Sequence, residues 1–205
     1  MRKPAPADRP IHPLLAERWS PYAFTDEGVA EEDLIALFEA ARWAASSYNE
    51  QPWRFIVARR EEPAAFEKVL SCLVPFNQGW AGHAPVLALG LVQTRRPGDG
   101  SPNAAAQHDL GLAAASLTVE ATHRGLSVHQ MSGIVADRIR DAWALPDDVL
   151  ALTALAIGHA ASLSETPEAM RDRQRRPRER RRLPEFVFGE RWGEPAPFLT
   201  GGPGD

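Results

Sequence analysis

The stretch AASSYNEQPWRF, from Ala44 to Phe55, decides how the rest of the chain is read. Ahead of it, Leu34, Phe38 and Ala41 recur at helical spacing with Ile35 and Trp43 alongside, which predicts an amphipathic helix from Glu31 to Ala45. Ser46, Ser47 and Asn49 then compete with the helical backbone bonds, and Pro52 is expected to hold Gln51 extended. Behind the junction, WRFIVARR has the pattern of an apolar strand starting at Trp53. Such an elbow leaves several peptide N–H groups free. It is one way to wall a site for a polar, planar ligand, and equally a way to end a helix.

Working outward, 205 residues suffice for a single domain, residues 1–205, that buries about 70% of its unfolded surface. Cys72 is the only cysteine, which excludes an internal disulfide and any cysteine cluster for zinc or iron–sulfur. The leader MRKPAPADRP is charged and proline-rich without an apolar core, and no uninterrupted apolar run is long enough to cross a bilayer, so a soluble, cytoplasmic protein is expected. A net charge of −4 gives no general attraction to nucleic acid, and 44% hydrophobic residues argue against disorder.

Residues 1–11 read as a flexible leader, followed by a short helix in HPLLAERWS. A helical pattern returns from Pro63 to Leu73, and PVLALGLVQ (Pro85 to Gln93) is a continuous apolar run suited to a buried central strand. The segment Asn103 to His123 predicts a long helix of small residues, able to approach another helix closely inside the fold or across a dimer axis. GLSVHQM then predicts a strand, VADRIRDAWAL a helix, and LALTALAIG (Leu150 to Gly158) a last strand. Helices and strands alternate loosely, which implies a sheet covered on both faces. From Pro167 onward the chain becomes a C-terminal arm with the arginine block RDRQRRPRERRR. That block reads as a solvated face, a nucleic-acid contact, or a grip on a phosphate through bidentate guanidinium forks.

The usual chemical signatures are missing. No Walker loop and no G-x-G-x-x-G after a strand is present, so a bound phosphate must be held by side chains. The six histidines form no H-x-x-x-H pair, and no metal site is expected. Cys72 lies in the apolar stretch SCLVPF, and no G-x-S-x-G elbow occurs. Hard chemistry would then belong to a bound cofactor.

Arg18-Trp19-Ser20, followed about thirty residues on by SSYNEQPW at a helix-to-strand junction, resembles the FMN-dependent nitroreductase family, whose pattern is R-x-S-x-R-x-F and then A-P-S-S-x-N-x-Q-P-W. Asn77 before HAPVLALG, the helix HDLGLAAASLTVEATHRGL, the turn Met131-Ser132-Gly133 and the basic Arg180-Arg181-Arg182-Leu183-Pro184 are similar to further family motifs in the same order. The resemblance implies an α+β fold: a three-layer α/β/α sandwich with a mixed, mostly antiparallel central sheet, assembled as an intertwined homodimer. Its implied cofactor is FMN, with NADH or NADPH as donor and no role for nucleic acid or membrane.

Carried over residue by residue, the resemblance puts the phosphate on Arg18, Arg180 and Arg182 with Ser20 in the same pocket, and counts Trp19 and Tyr22 among the cofactor-binding residues. Ser46, Ser47 and Asn49, next to Ala45, would reach the flavin from the partner subunit. Asn77 would bond the pyrimidine edge, and a peptide N–H of Ser132 or Gly133, after Met131, would point at N5. The implied reaction is a hydride transfer from the nicotinamide to N5 and a second transfer to a nitroaromatic, quinone or related small acceptor. No catalytic side chain is required, and loops around Pro97–Asn103, Phe76 and His129 would select the acceptor.

Three positions depart from the pattern. Ala45 replaces a proline; Tyr22 replaces a basic residue near flavin N1 and O2; and Trp80 stands where some members have another cation. Loss of those charges predicts a lower reduction potential unless Arg54 or another cation compensates. It also keeps open a flavin-binding, sequestering protein of the same fold with little turnover.

Overall fold

A computed structural model describes residues 3–199. Its elements run α1 (Pro13–Glu17), α2 (Glu31–Arg42), β1 (Trp53–Arg59), α3 (Pro63–Leu70), α4 (Pro75–Ala81), β2 (Val86–Gln93), α5 (Ala106–His123), β3 (Ser127–Met131), α6 (Ala136–Trp143), β4 (Val149–Gly158) and α7 (Glu168–Arg175). The four strands form one sheet in the order β1-β2-β4-β3. Every pairing in it is antiparallel, so the parallel pairing expected of a mixed sheet does not occur among the described residues.

β2 is buried from Val86 to Val92, as befits a central strand whose two faces are both covered. Val86, Ala88 and Val92 face a core with Leu34, Leu37 and Ala41 of α2 and Leu110, Ala113 and Leu117 of α5. Leu87, Leu89 and Leu91 face the opposite core, where Phe66 and Val69 of α3, Trp80 of α4 and Ile139 of α6 pack. The protein is therefore α+β in three layers. Small residues let α5 lie close against α2, while Gly111 and Ala115 on its other side stay exposed.

Several boundaries differ from expectation. α2 ends at Arg42 rather than Ala45, because Ala44 turns back to donate to the Ala41 carbonyl at 3.2 Å. The predicted 63–73 helix stops at Leu70, and a further helix that the sequence did not announce, α4, starts at Pro75, where a missing N–H is harmless. α5 begins at Ala106, since the Asn103 side chain accepts from the Ala105 N–H at 3.1 Å and forms a turn ahead of it. The stretch read as a flexible leader is tied at Lys3, whose ammonium donates to the Gln174 and Arg176 carbonyls at 2.7 and 2.6 Å. Ala5 N–H donates to the Ala16 carbonyl at 2.7 Å. Among the described residues no helix is long and apolar enough to cross a membrane.

Candidate functional site

The residues singled out in the sequence fall into two groups at opposite edges of the sheet. One surrounds the edge strand β3. There the His129 ring Nδ1 donates to the Pro21 carbonyl at 2.8 Å and holds the 18–22 segment beside the strand. Arg18 donates through Nη1 to Ser20 Oγ at 3.2 Å, and Trp19 is buried with the Lys3 ammonium 5.0 Å above its ring.

Arg18 also borders a cleft of about 650 Å³ that it shares with Arg178, Arg180, Arg181 and Arg182 of the arm and with the leader. Arg178 is fixed by donating to the Lys3 and Ala16 carbonyls at 2.8 and 2.5 Å. Burial, then the nearby charges of Arg178 and Arg180, pushes the Arg18 pKa below its ordinary value, and Arg178 is lowered by burial and Arg180. None of Arg18, Arg178, Arg180 and Arg182 forms an ion pair among the described residues. Asp8 and Glu179 also line the cleft, but neither pairs with these arginines; guanidinium groups crowded without an ion-pair partner suit an anion, and their planar forks suit phosphate.

Beyond Arg18, Tyr22, Trp80 and His129 pack as a triangle, with ring centroids 5.2 Å (Tyr22–Trp80), 4.7 Å (Tyr22–His129) and 4.4 Å (Trp80–His129) apart. Trp80 Nε1 donates to Asn77 Oδ1 at 3.2 Å, and Asn77 Nδ2 donates to the Gly133 carbonyl at 3.0 Å. One amide hydrogen and one lone pair of the buried Asn77 remain for a ligand. A Cβ on Gly133 would meet Asn77 Nδ2 at 2.3 Å and Val74 Cγ2 at 2.9 Å, so the glycine is needed for this contact. Met131 is buried, whereas Ser132 is exposed, and the Ser132 and Gly133 N–H groups have no internal acceptor among the described residues.

The second group is the elbow at the start of β1. Tyr48, Asn49 and Gln51 have φ of 54°, 56° and 47°, left-handed values that cost non-glycine residues on the order of 1–2 kcal/mol each. Gln51 is thus not extended as Pro52 led us to expect. Its N–H donates to Ser46 Oγ at 3.1 Å and its side chain to the Asn49 carbonyl at 3.0 Å, which together fix the tight turn. Asp109, buried in the first turn of α5, accepts from the Ser47 N–H at 3.1 Å. Ala45 and Asn49 are exposed.

β1 and β3 are separated by β2 and β4, about 14 Å at the usual strand spacing, so one chain does not bring Ser46, Ser47 and Asn49 against Arg18 or Asn77. It does gather Arg18, Ser20, Tyr22, Asn77, Gly133, Arg180 and Arg182 along the β3 side. Sequence reasoning passed over Arg178 and Asp109. The first was lost inside the arginine block; the second had a signal, an acid in the opening turn of a helix of small residues. No group of three or more His, Cys, Asp or Glu side chains able to hold a metal occurs among the described residues.

Comparison with known proteins gives a consistent picture. The Nitroreductase family model matches residues 15–159 and ends before the arginine arm. A Mycolicibacterium smegmatis protein, "Uncharacterized 15.4 kDa protein in ask 5'region", is 36% identical over 146 residues, 69% of this chain and 99% of that protein. A crystal structure of an oxidoreductase containing FMN is 32% identical with a TM-score of 0.86, covering 92% of this chain and 96% of the other. A nitroreductase family protein of Clostridium difficile 630 is 26% identical with a TM-score of 0.68, covering 87% and 97%.

Proposed function

The chain belongs to the nitroreductase family, and from that premise we propose that it is an FMN-dependent oxidoreductase. Its electrons come from NADH or NADPH and pass to a nitroaromatic, quinone or related small acceptor. The observation that carries this reading is the cleft where Arg18, Arg178, Arg180 and Arg182 converge without a carboxylate partner among the described residues. A phosphate monoester supplies the charge that this cluster lacks. The similar solved oxidoreductase contains FMN, a cofactor that ends in such a group.

When bound, FMN supplies the redox chemistry, accepting and delivering hydride at N5. The residues of this chain bind and orient it. Arg18, Arg180 and Arg182 grip the phosphate, with Arg178 holding the leader and α1 against that cleft. The spare hydrogen-bonding capacity of Asn77 serves the pyrimidine edge, and the free N–H groups of Ser132 and Gly133 serve N5. Ser46, Ser47 and Asn49 complete the wall from a second copy of the chain, because their own chain holds them at the far edge of its sheet.

Charge-assisted hydrogen bonds contribute roughly 1.5–3 kcal/mol each, so Arg18→Gln is expected to weaken FMN binding by about tenfold or more. The measurement is titration of the apoprotein with FMN, followed by anaerobic addition of NADH and NADPH in turn. Tight uptake with rapid bleaching supports the proposal. Uptake with lasting yellow colour under both donors supports a sequestering role instead, and a protein that takes up no FMN overturns both.

A further inference from the structure

Tyr22 and Trp80 occupy the two positions where a cation is missing, and their rings touch, so neither leaves room for a charge between them. Arg54 does not fill the gap within its own chain. Its guanidinium is engaged at the β1 edge, donating to the Gln51 and Trp53 carbonyls at 2.9 and 2.7 Å and to Gln93 Oε1 at 3.0 Å. Arg18 is directed to Ser20 and the phosphate cleft.

A different arginine lies over Tyr22. The fully buried Gln174 of α7 accepts the Tyr22 N–H through Oε1 at 2.9 Å, and its carbonyl accepts the Lys3 ammonium at 2.7 Å. Arg171 Nε donates to the Thr166 carbonyl at 3.1 Å, so the helix is pinned at both ends of this contact. With that register fixed, the Arg173 guanidinium carbon sits 5.8 Å from the Tyr22 ring centroid and 4.6 Å from that of Phe76, the residue before Asn77. Arg173 has no carboxylate or hydrogen-bond partner for its guanidinium among the described residues. Its donors are unspent, and two aromatic faces hold them in place.

We propose that Arg173 supplies the positive charge at the pyrimidine end of the bound flavin that Tyr22 and Trp80 do not, and thereby raises its reduction potential. This rests on the FMN-dependent reading above. Hydride from the dihydronicotinamide brings two electrons and a proton to N5 and leaves the donor as the oxidised pyridinium; the negative charge gained by the ring falls at N1 and O2. A nearby cation favours that reduced form, which offsets the lower potential expected from the two replaced positions.

The test is the midpoint potential of FMN bound to the full-length protein, measured with a reference dye for Arg173→Gln, Arg173→Lys and Arg173→Glu. Arg173 is exposed, so these variants are expected to fold and to retain FMN. One exposed charge beside the ring is worth roughly tenfold in the reduced-to-oxidised ratio, or about 30 mV for a two-electron couple. Arg173→Gln should fall by that amount, Arg173→Glu further, and Arg173→Lys little. Wild-type potentials in FMN-loaded Gln and Glu variants would overturn the assignment, as would an equal fall in Arg175→Gln, an exposed neighbour on α7. If the unaltered protein binds no FMN, the functional reading fails and takes this assignment with it.

Discussion

His129 shows how one side chain records the character of the site. A carbonyl only accepts, so the 2.8 Å contact with Pro21 assigns the ring hydrogen to Nδ1 and leaves the lone pair on Nε2. Burial, opposed by the Pro21 carbonyl and reinforced by the Arg18 charge, holds its pKa below the ordinary histidine value. The folded protein therefore binds a proton at His129 less readily than the unfolded chain does. Stability from this group is complete above the unfolded pKa of about 6.5 and is lost as pH falls from there toward the lower folded value. Urea midpoints at pH 7 and pH 5 should show a drop on acidification that is smaller in His129→Gln. An identical drop in the two proteins would show that His129 does not carry this dependence. Nothing in the sequence around SVHQM gave that environment away, because the packing partners Tyr22 and Trp80 are distant in the chain.

Among elements, the strands and α5 were legible because each writes its environment into a continuous run of residues: PVLALGLVQ is apolar throughout because both faces of β2 are covered. α4 was not legible. It spans seven residues including Gly79, has little intrinsic helical preference, and forms because Pro75 starts it and Trp80 and Ala81 are buried in a distant core. α7 was hidden similarly, since its anchor is a buried polar residue, Gln174, rather than an apolar stripe. The site divides along the same line. The order of motifs pointed to Arg18, Arg180, Arg182, Asn77 and Gly133 as candidates, while the surroundings of Asp109 and Arg173 come from contacts made far along the chain. The elbow illustrates the consequence: its three left-handed residues are held by the Ser46 and Asn49 contacts of Gln51 within the turn and by α5, where Asp109 accepts the Ser47 N–H. Asp109→Ala leaves that N–H without its charged acceptor, and a loss of about 1–3 kcal/mol in chemical denaturation is expected. FMN affinity should weaken as well, since the freed elbow no longer presents its serines in one arrangement. Unchanged stability and unchanged affinity would mean that the elbow holds its shape without α5.

At the scale of the whole molecule, the decisive fact is that the elbow and the arginine cleft, the two walls proposed for the flavin pocket, lie on opposite edges of one sheet, with exposed Gly111 and Ala115 on the outer side of α5. Small residues there permit close approach of a second copy, and in a two-fold assembly each chain would lend its elbow to the other's arginine cleft. Two variants separate the walls. Arg18→Gln damages the cleft, and Ala45→Trp adds bulk at an exposed position of the elbow; each alone should hold little FMN while folding normally by circular dichroism. Unfolding and refolding an equal mixture yields mixed dimers in which one pocket carries both defects and the other carries none. Random pairing makes about half of the dimers mixed, so about a quarter of all pockets should regain FMN at wild-type affinity. If both walls belonged to one chain, every pocket in the mixture would keep one defect, and mixing would restore nothing. FMN fluorescence released from the purified mixture distinguishes the two cases, and recovery that disappears when the variants are refolded separately and then combined without exchange ties the result to the shared pocket.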